Sequence, residues 1–218
     1  MSYENSSRIR THRCPQCSLR DLCIRAGFDD AEINYIGEEY TRAHRPYEKG
    51  ERISRFGKSA ARSLYIIKSG AIKTEAINQD GQPRVTGFYL TGEIVGFETL
   101  GAEDVLSDAI TLTRTWICEL PSTRLESLCS SSPPFQSQVL QIMSREIHRR
   151  EHELVISPQL TANEKVTQFL GHLYRRTQLH RTDSGTGRIN LPMRKGDIAR
   201  YLGLDPSTLS RVLANFEK

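Results

Sequence analysis

The sequence lacks any long apolar run. No stretch approaches the roughly 18 residues that a membrane-spanning helix requires, so a helical membrane protein is not expected. The opening residues, MSYENSSRIRTHR, hold no apolar core of the kind that marks a secretory signal. A cytoplasmic location follows as the expectation, a compartment where disulfides are rare. There is no GxGxxG run and no paired set of catalytic carboxylates. A dinucleotide-dependent or acid–base enzyme would lack its machinery, and no enzymatic activity is expected. Nor is one sign of charge dominant: 30 Lys and Arg stand against 26 Asp and Glu, net +4. That mildly basic balance permits nucleic-acid binding without requiring it. The 218 residues suggest one large domain or two small ones, long enough to bury a core without disulfide staples.

What is present falls into two patterns. From about residue 46 to 121, short apolar runs are punctuated by glycine turns. LYIIK (64–68), AIKTEAI (71–77), RVTGFYL (84–90) and EIVGF (93–97) read as strands, with Asp80-Gly81 as a hairpin signal. AITLTRTWICEL (109–120) reads as one last long strand, closed by Pro121. Such spacing predicts a small antiparallel barrel or roll. A tail over 1–13 and a short amphipathic helix over 29–41 precede it. After Pro121 the periodicity turns helical, with Ser122 as the expected N-cap of a first short helix. A Ser-Ser-Ser-Pro-Pro break leads to one long helix over 135–157. Along it Leu140, Met143, Ile147, Arg150 and Leu154 follow a 3,4 spacing, nearly a coiled-coil seam with Arg150 as its polar exception. In a parallel pair Arg150 would face its own copy, and that repulsion predicts a marginal dimer. The ordinary alternative is an arginine that reaches out to solvent. A further helix over 161–180 carries Val166, Phe169, Leu170 and Leu173, followed by a loop at 182–187.

RKGDIARYLGLDPSTLSRVLANF (194–216) reads as two helices joined by a tight turn. Ala199 supplies the small residue where one helix crosses the other. Gly203, four positions on, supplies the positive φ of the turn, and Leu209, six further, locks the second helix down. Asp205-Pro206 opens that second helix. The pattern predicts a helix-turn-helix, against the blander reading of an αα-hairpin. Ser207, Thr208, Ser210 and Arg211 then lie on its exposed side. Arginine forks onto guanine O6 and N7, and serine bonds several base edges. Arg194, Lys195 and Arg200 are candidates for phosphate contacts, though taken singly each reads as a solvated charge.

Cys14-x2-Cys17-x5-Cys23 places three thiolates on one short segment, and Cys118 in TWICELP is a distant fourth. The odd total of five cysteines argues against full pairing. Four thiolates suit an iron–sulfur cluster or zinc. Zinc sites of this kind show two CxxC knuckles and here there is one, so spacing favours iron–sulfur while leaving zinc and plain thiols open. Cys129 reads as a half-buried helix thiol, His12 as a solvated tail residue, and His148 with His152 as a wet helix face.

These parts together resemble the Crp/Fnr transcription regulators. The resemblance runs from about residue 14 to 218 and is greatest to the oxygen-sensing FNR-type branch. CPQCSLRDLC, LYIIKSGAIK, TGFYLTGEIVGF, WICELP and GDIARYLGLDPSTLSRVL carry it. It implies an α+β fold: an N-terminal antiparallel β-roll like a cyclic-nucleotide-binding jelly roll, a long dimerisation helix, and a C-terminal helix-turn-helix of the winged type. The expected divisions are 1–28 for a cluster-binding segment, 29–132 for the roll, 133–158 for the dimer helix and 159–218 for the DNA-binding domain. It further implies a 4Fe–4S cluster held by Cys14, Cys17, Cys23 and Cys118. Implied partners are an inverted-repeat operator in double-stranded DNA, a second copy of the chain through Met143, Ile147, Arg150 and Leu154, and RNA polymerase. The alternative keeps the regulator but lets the cysteines bind zinc or sense nitric oxide or thiol redox state.

Three departures stand out. Cyclic-nucleotide-binding relatives clamp the phosphate with an Arg-Ser pair, and here the matching positions are Leu106-Ser107. Without the guanidinium a phosphodiester has no bidentate partner, so no cyclic nucleotide is expected. The branch's recognition helix reads Glu-x-x-Ser-Arg, whereas here Ser207 stands in the glutamate position. The family's β-hairpin wing lies beyond the last residue, Lys218, so the wing is expected to be truncated.

Overall fold

The computed structural model of the chain describes residues 31, 42–43, 45–54, 62–78, 81–101, 107–156, 159–179 and 190–216. The expected tail over 1–13, nearly all of the helix expected over 29–41, the ligand candidates Cys14, Cys17 and Cys23, Leu106 and the 182–187 loop lie outside the described residues.

Among the described residues the strands are β1 (Arg42–Ala43), β2 (Arg52–Ser54), β3 (Ser63–Ser69), β4 (Ala71–Ile77), β5 (Pro83–Leu90), β6 (Ile94–Val95), β7 (Asp108–Thr111) and β8 (Trp116–Pro121). The helices described after them are α1 (Ser122–Ser131), α2 (Pro133–Ile156), α3 (Ala162–Leu179), α4 (Lys195–Leu202) and α5 (Pro206–Phe216). The strands form two antiparallel sheets, β1-β8-β3-β6 and β2-β7-β4-β5.

Alternation along β3 explains how the sheets are packed. Tyr65 and Ile67 point between the sheets with Ile72, Tyr89, Val95, Ala109 and Ile117. Leu64 and Ile66 point the other way, under Leu125 and Leu128 of α1 and Phe135 and Val139 of α2. A strand buried on both faces reads as a continuous apolar run, which is why LYII shows no period of two. The second sheet's outer face is covered as well: Val85, Phe88 and Leu90 pack on Val166, Phe169, Leu173 and Ile198. Phe88 meets the rings of Tyr201 at 5.2 Å and Phe169 at 6.0 Å, edge on. The helix-turn-helix domain is thereby seated on the roll.

Four details differ from expectation. The long strand expected over 109–120 is two, because residues 112–115 turn between sheets and leave β7 in one and β8 in the other. The strand expected over 93–97 shortens to β6, since Gly96 adopts φ 109 and a 3-10 turn begins at Phe97. A Cβ there would collide with the Ser63 carbonyl oxygen, so only glycine fits the approach. Ser122 is already helical, and Pro121 is the cap residue with no side-chain cap bond. The serine-proline break contracts to Ser132, with Pro133 opening α2, where its missing N–H costs nothing.

Candidate nucleic-acid interface and the joint behind it

The helix-turn-helix is built by the three residues the spacing singled out. Ala199 is fully buried where α5 crosses α4. Gly203 caps α4 with φ 64 and ψ 37, and the Leu204 amide donates to the Ala199 carbonyl at 2.9 Å. Leu209 is fully buried beside Val212. Asp205 then caps α5: its Oδ1 accepts from the Ser207 amide at 2.8 Å and from Ser207 Oγ at 2.6 Å. Those bonds hold the Asp205 carboxyl below its ordinary range.

Of the four expected base-reading residues, Ser207, Ser210 and Arg211 are exposed and Thr208 is half-buried. The Arg211 guanidinium has no partner among the described residues, which leaves its donors free for a base edge. Ser207 is different. Its hydroxyl proton is committed to Asp205, so toward a base it offers only lone pairs. Arg194 and Lys195 are exposed at the start of α4. Arg200 is exposed, and one of its donors, Nη2, is given to Asp197 Oδ1 at 2.6 Å.

Asp197 opens a layer that sequence reasoning missed. It is buried, and Lys73 of β4 donates to the same Oδ1 at 2.9 Å. Lys73 also meets Glu75 at 2.5 Å, so Glu75, Lys73, Asp197 and Arg200 alternate in charge across the joint between roll and DNA-binding domain. Burial works against the Asp197 charge, yet the hydrogen bonds from Lys73 and Arg200 outweigh it and hold the carboxyl low. A second tie runs from Arg176 of α3, which grips Glu93 with Nε at 2.7 Å and Nη2 at 2.5 Å. Glu93 also accepts the Leu90 amide at 2.8 Å. A third links Tyr201 to Glu153 of α2 at 2.8 Å. An acid beside Ile198 and Ala199 on the buried face of α4 is the one sequence signal for this layer. Its partner lies 124 positions away.

The long helix divides its expected seam. Leu140 and Ile147 are exposed at 59% and 55%, with Val155 at 61%. Met143 instead leans half-buried on the core under α1 and α2. Leu154 lies in the same helix, one heptad after Ile147. Arg150 is not the bare charge expected. It donates to Glu146 Oε1 at 2.9 Å and to Tyr89 Oη at 2.6 Å, turning toward its own roll. The repulsion expected between two copies therefore loses its premise. Burial pushes the Tyr89 phenol up, which keeps it neutral beside the guanidinium. His148 lies on α2, as expected of a helix-face residue.

Cys118 lies on the outer face of β8, packed with Leu64, Ile66 and Leu120 on the core that α1 and α2 cover. It pairs with Ile66 on one side and with Ala43 of β1 on the other. Cys129 is half-buried on α1, and burial pushes its thiol up, as suits an inert helix cysteine. Among the described residues no group of three or more His, Cys, Asp or Glu is placed to hold a metal ion. No described helix is long and apolar enough to cross a membrane.

A two-sheet roll, a long helix with an apolar stripe and a helix-turn-helix with a free arginine define a DNA-binding transcription regulator rather than an enzyme. Residues 44–132 match the cyclic nucleotide-binding domain and residues 164–218 the Crp-like helix-turn-helix domain. The fumarate and nitrate reduction regulatory proteins of Escherichia coli and Vibrio cholerae are each 32% identical over 94% of this chain and 80% of theirs. Electron transport regulator A of Shewanella oneidensis matches to the same extent. Among solved structures, FixK2 from Bradyrhizobium japonicum superposes with a TM-score of 0.70 at 25% identity, over 80% of this chain and 84% of that one. The chain belongs to the Crp/Fnr family of transcription regulators.

Proposed function

We propose that the chain is an oxygen-responsive member of this family, whose Cys14, Cys17, Cys23 and Cys118 hold a 4Fe–4S cluster that controls dimerisation and operator binding. The observation that carries the proposal is the pairing of Ala43 with Cys118. The strand that follows the cysteine-rich segment is bonded directly beside the fourth cysteine. Four thiolates drawn from two parts of the chain, three in Cys14–Cys23 and one on β8, suit such a cluster. When bound, the cluster supplies an oxygen-labile cross-link between tail and roll.

The chain's own residues carry the consequence. Cys118 shares its core with Phe135, Val139, Ile142 and Met143 of α2, so β8 and the long helix are packed as one unit. That packing orients Leu140 and Ile147 toward solvent, ready for the same stripe of a second copy. The Met143 and Arg150 positions flank that seam, and Leu154 extends it by one heptad. In the dimer, two α5 helices enter successive major grooves about 34 Å apart, on an inverted repeat. Arg211 reads a guanine there, with Ser207 as an acceptor and Thr208 and Ser210 beside it. RNA polymerase is the further partner of such a regulator. No cyclic nucleotide is required: Leu106 stands at the phosphate-clamping position. Glu93 of the adjoining turn is already spent on Arg176.

The test is purification without oxygen, followed by the visible spectrum and metal content. Broad absorbance that bleaches in air, with about four irons per chain, is expected, and Cys118→Ser should lose both. A colourless protein with stoichiometric zinc would remove the reading.

A further inference from the structure

A cavity of about 450 Å³ lies at the joint where β5, α2, α3 and α4 meet. Its walls come from both halves of the molecule. Arg84 and Val85 belong to the roll, while Lys165, Phe169, His172 and Leu202 belong to the DNA-binding domain. The volume lies within the range of small-molecule sites.

The charges on its walls are unequal in their commitments. Arg149 is held by Glu146 and Glu153, each at 2.7 Å. Arg150 is spent on Glu146 and Tyr89, and Arg176 on Glu93. Arg84 and Lys165 have no carboxylate partner among the described residues. Among the described residues, the cavity therefore keeps two cations without an ion-pair partner, one from each domain. The lining also has an apolar part: the half-buried Tyr201 ring, with the edges of Phe169 and Leu202 at 8% and 9% exposure. A cation pair beside an apolar wall recognises an anion attached to an apolar body, and the guanidinium fork favours phosphate.

We propose that this cavity binds a small organic phosphate, with its dianion held by Arg84 and Lys165 and its ring against Tyr201, Phe169 and Leu202. Such a ligand bridges the roll and the DNA-binding domain. Where its occupancy changes DNA affinity, linkage requires DNA to change ligand affinity by the same factor. The proposal is independent of the cysteine reading and involves none of the expected cluster ligands.

The full-length protein would be titrated calorimetrically with phenyl phosphate and, separately, with inorganic phosphate. Saturable binding of phenyl phosphate is expected, with inorganic phosphate at least about tenfold weaker because it forgoes the apolar wall. Arg84→Ala and Lys165→Ala should each weaken phenyl phosphate by about tenfold or more, as loss of a charge-assisted bond does. Both side chains reach solvent, so unchanged circular dichroism and thermal transitions are expected of the variants. Equal affinity for the two probes would reduce the site to an ion site and overturn the proposal. So would no saturable binding in the millimolar range, or variants that bind like the parent. If operator DNA competed directly with phenyl phosphate, and both substitutions weakened DNA binding in its absence, the two cations would belong to a DNA-backbone contact instead.

Discussion

Removing Lys73 should loosen the joint between roll and DNA-binding domain more than any exposed charge substitution would. The Lys73 and Asp197 side chains are only 11% and 5% exposed, and their atoms approach to 2.9 Å. Breaking a buried pair by deleting one partner costs about 3–5 kcal/mol when nothing else compensates. Here each partner keeps a second contact. Asp197 retains Arg200 at 2.6 Å, and Lys73 retains Glu75 at 2.5 Å. Arg200 is 43% exposed, so it screens the stranded Asp197 poorly. Lys73→Ala is therefore expected to cost about 2–4 kcal/mol, and Asp197→Ala about 1–3 kcal/mol. The double variant should cost less than the sum, because the second substitution removes the charge that the first one stranded. A double-mutant cycle by urea unfolding should give a coupling of about 1.5–3 kcal/mol. The pH dependence has a definite sign. Asp197 titrates below its ordinary 3.8 in the folded protein. Its contribution is therefore complete above that value and is lost as pH falls toward the folded pKa. Additive losses with a coupling under about 0.5 kcal/mol would show that the two residues do not act as a pair, and the latch would have to be abandoned.

Four other outcomes are expected. Leu209→Ala deletes a fully buried side chain at the helix crossing and should cost about 2–5 kcal/mol in a thermal unfolding measurement. Gly203→Ala meets no atom within 4 Å, so its cost comes from φ +64 alone. About 1–2 kcal/mol is expected, with asparagine milder than alanine in the same assay. Arg211→Ala should relax specificity at one base pair of each half-site by about 1–3 kcal/mol, read by gel shift over base-substituted operators. Uniform loss at every site would assign it to phosphate. Ile147→Lys, at a side chain already 55% exposed, should leave the monomer's melting unchanged and raise the monomer fraction in sedimentation velocity. An unaltered fraction would move the dimer seam elsewhere.

Elements with local causes are legible in the sequence. The helix-turn-helix follows from Ala199, Gly203 and Leu209, because a small residue, a positive φ and a locking apolar residue are demands made within about ten positions. The roll's main strands follow from apolar runs between glycine turns. Less legible was the break in 109–120, since a chain that changes sheets keeps its apolar character on both sides of the turn. Arg150 misled for a related reason. Its position on a heptad says which way it leaves the helix, whereas the position of Tyr89 and Glu146 decides where its guanidinium ends.

The sequence by itself determined the family, the two kinds of domain and the reading helix, because these rest on spacing along one chain. It also named the cysteines, whose grouping is a matter of count and interval. Tertiary structure alone decided the joint. Lys73 and Asp197, and Glu93 and Arg176, are brought together by the seating of α3 and α4 on the roll, and Arg84 and Lys165 come to line one cavity. No local propensity encodes that seating: it depends on Phe88 finding Phe169 and Tyr201 across a long stretch of chain, and a charge acquires its partner only after that packing is made.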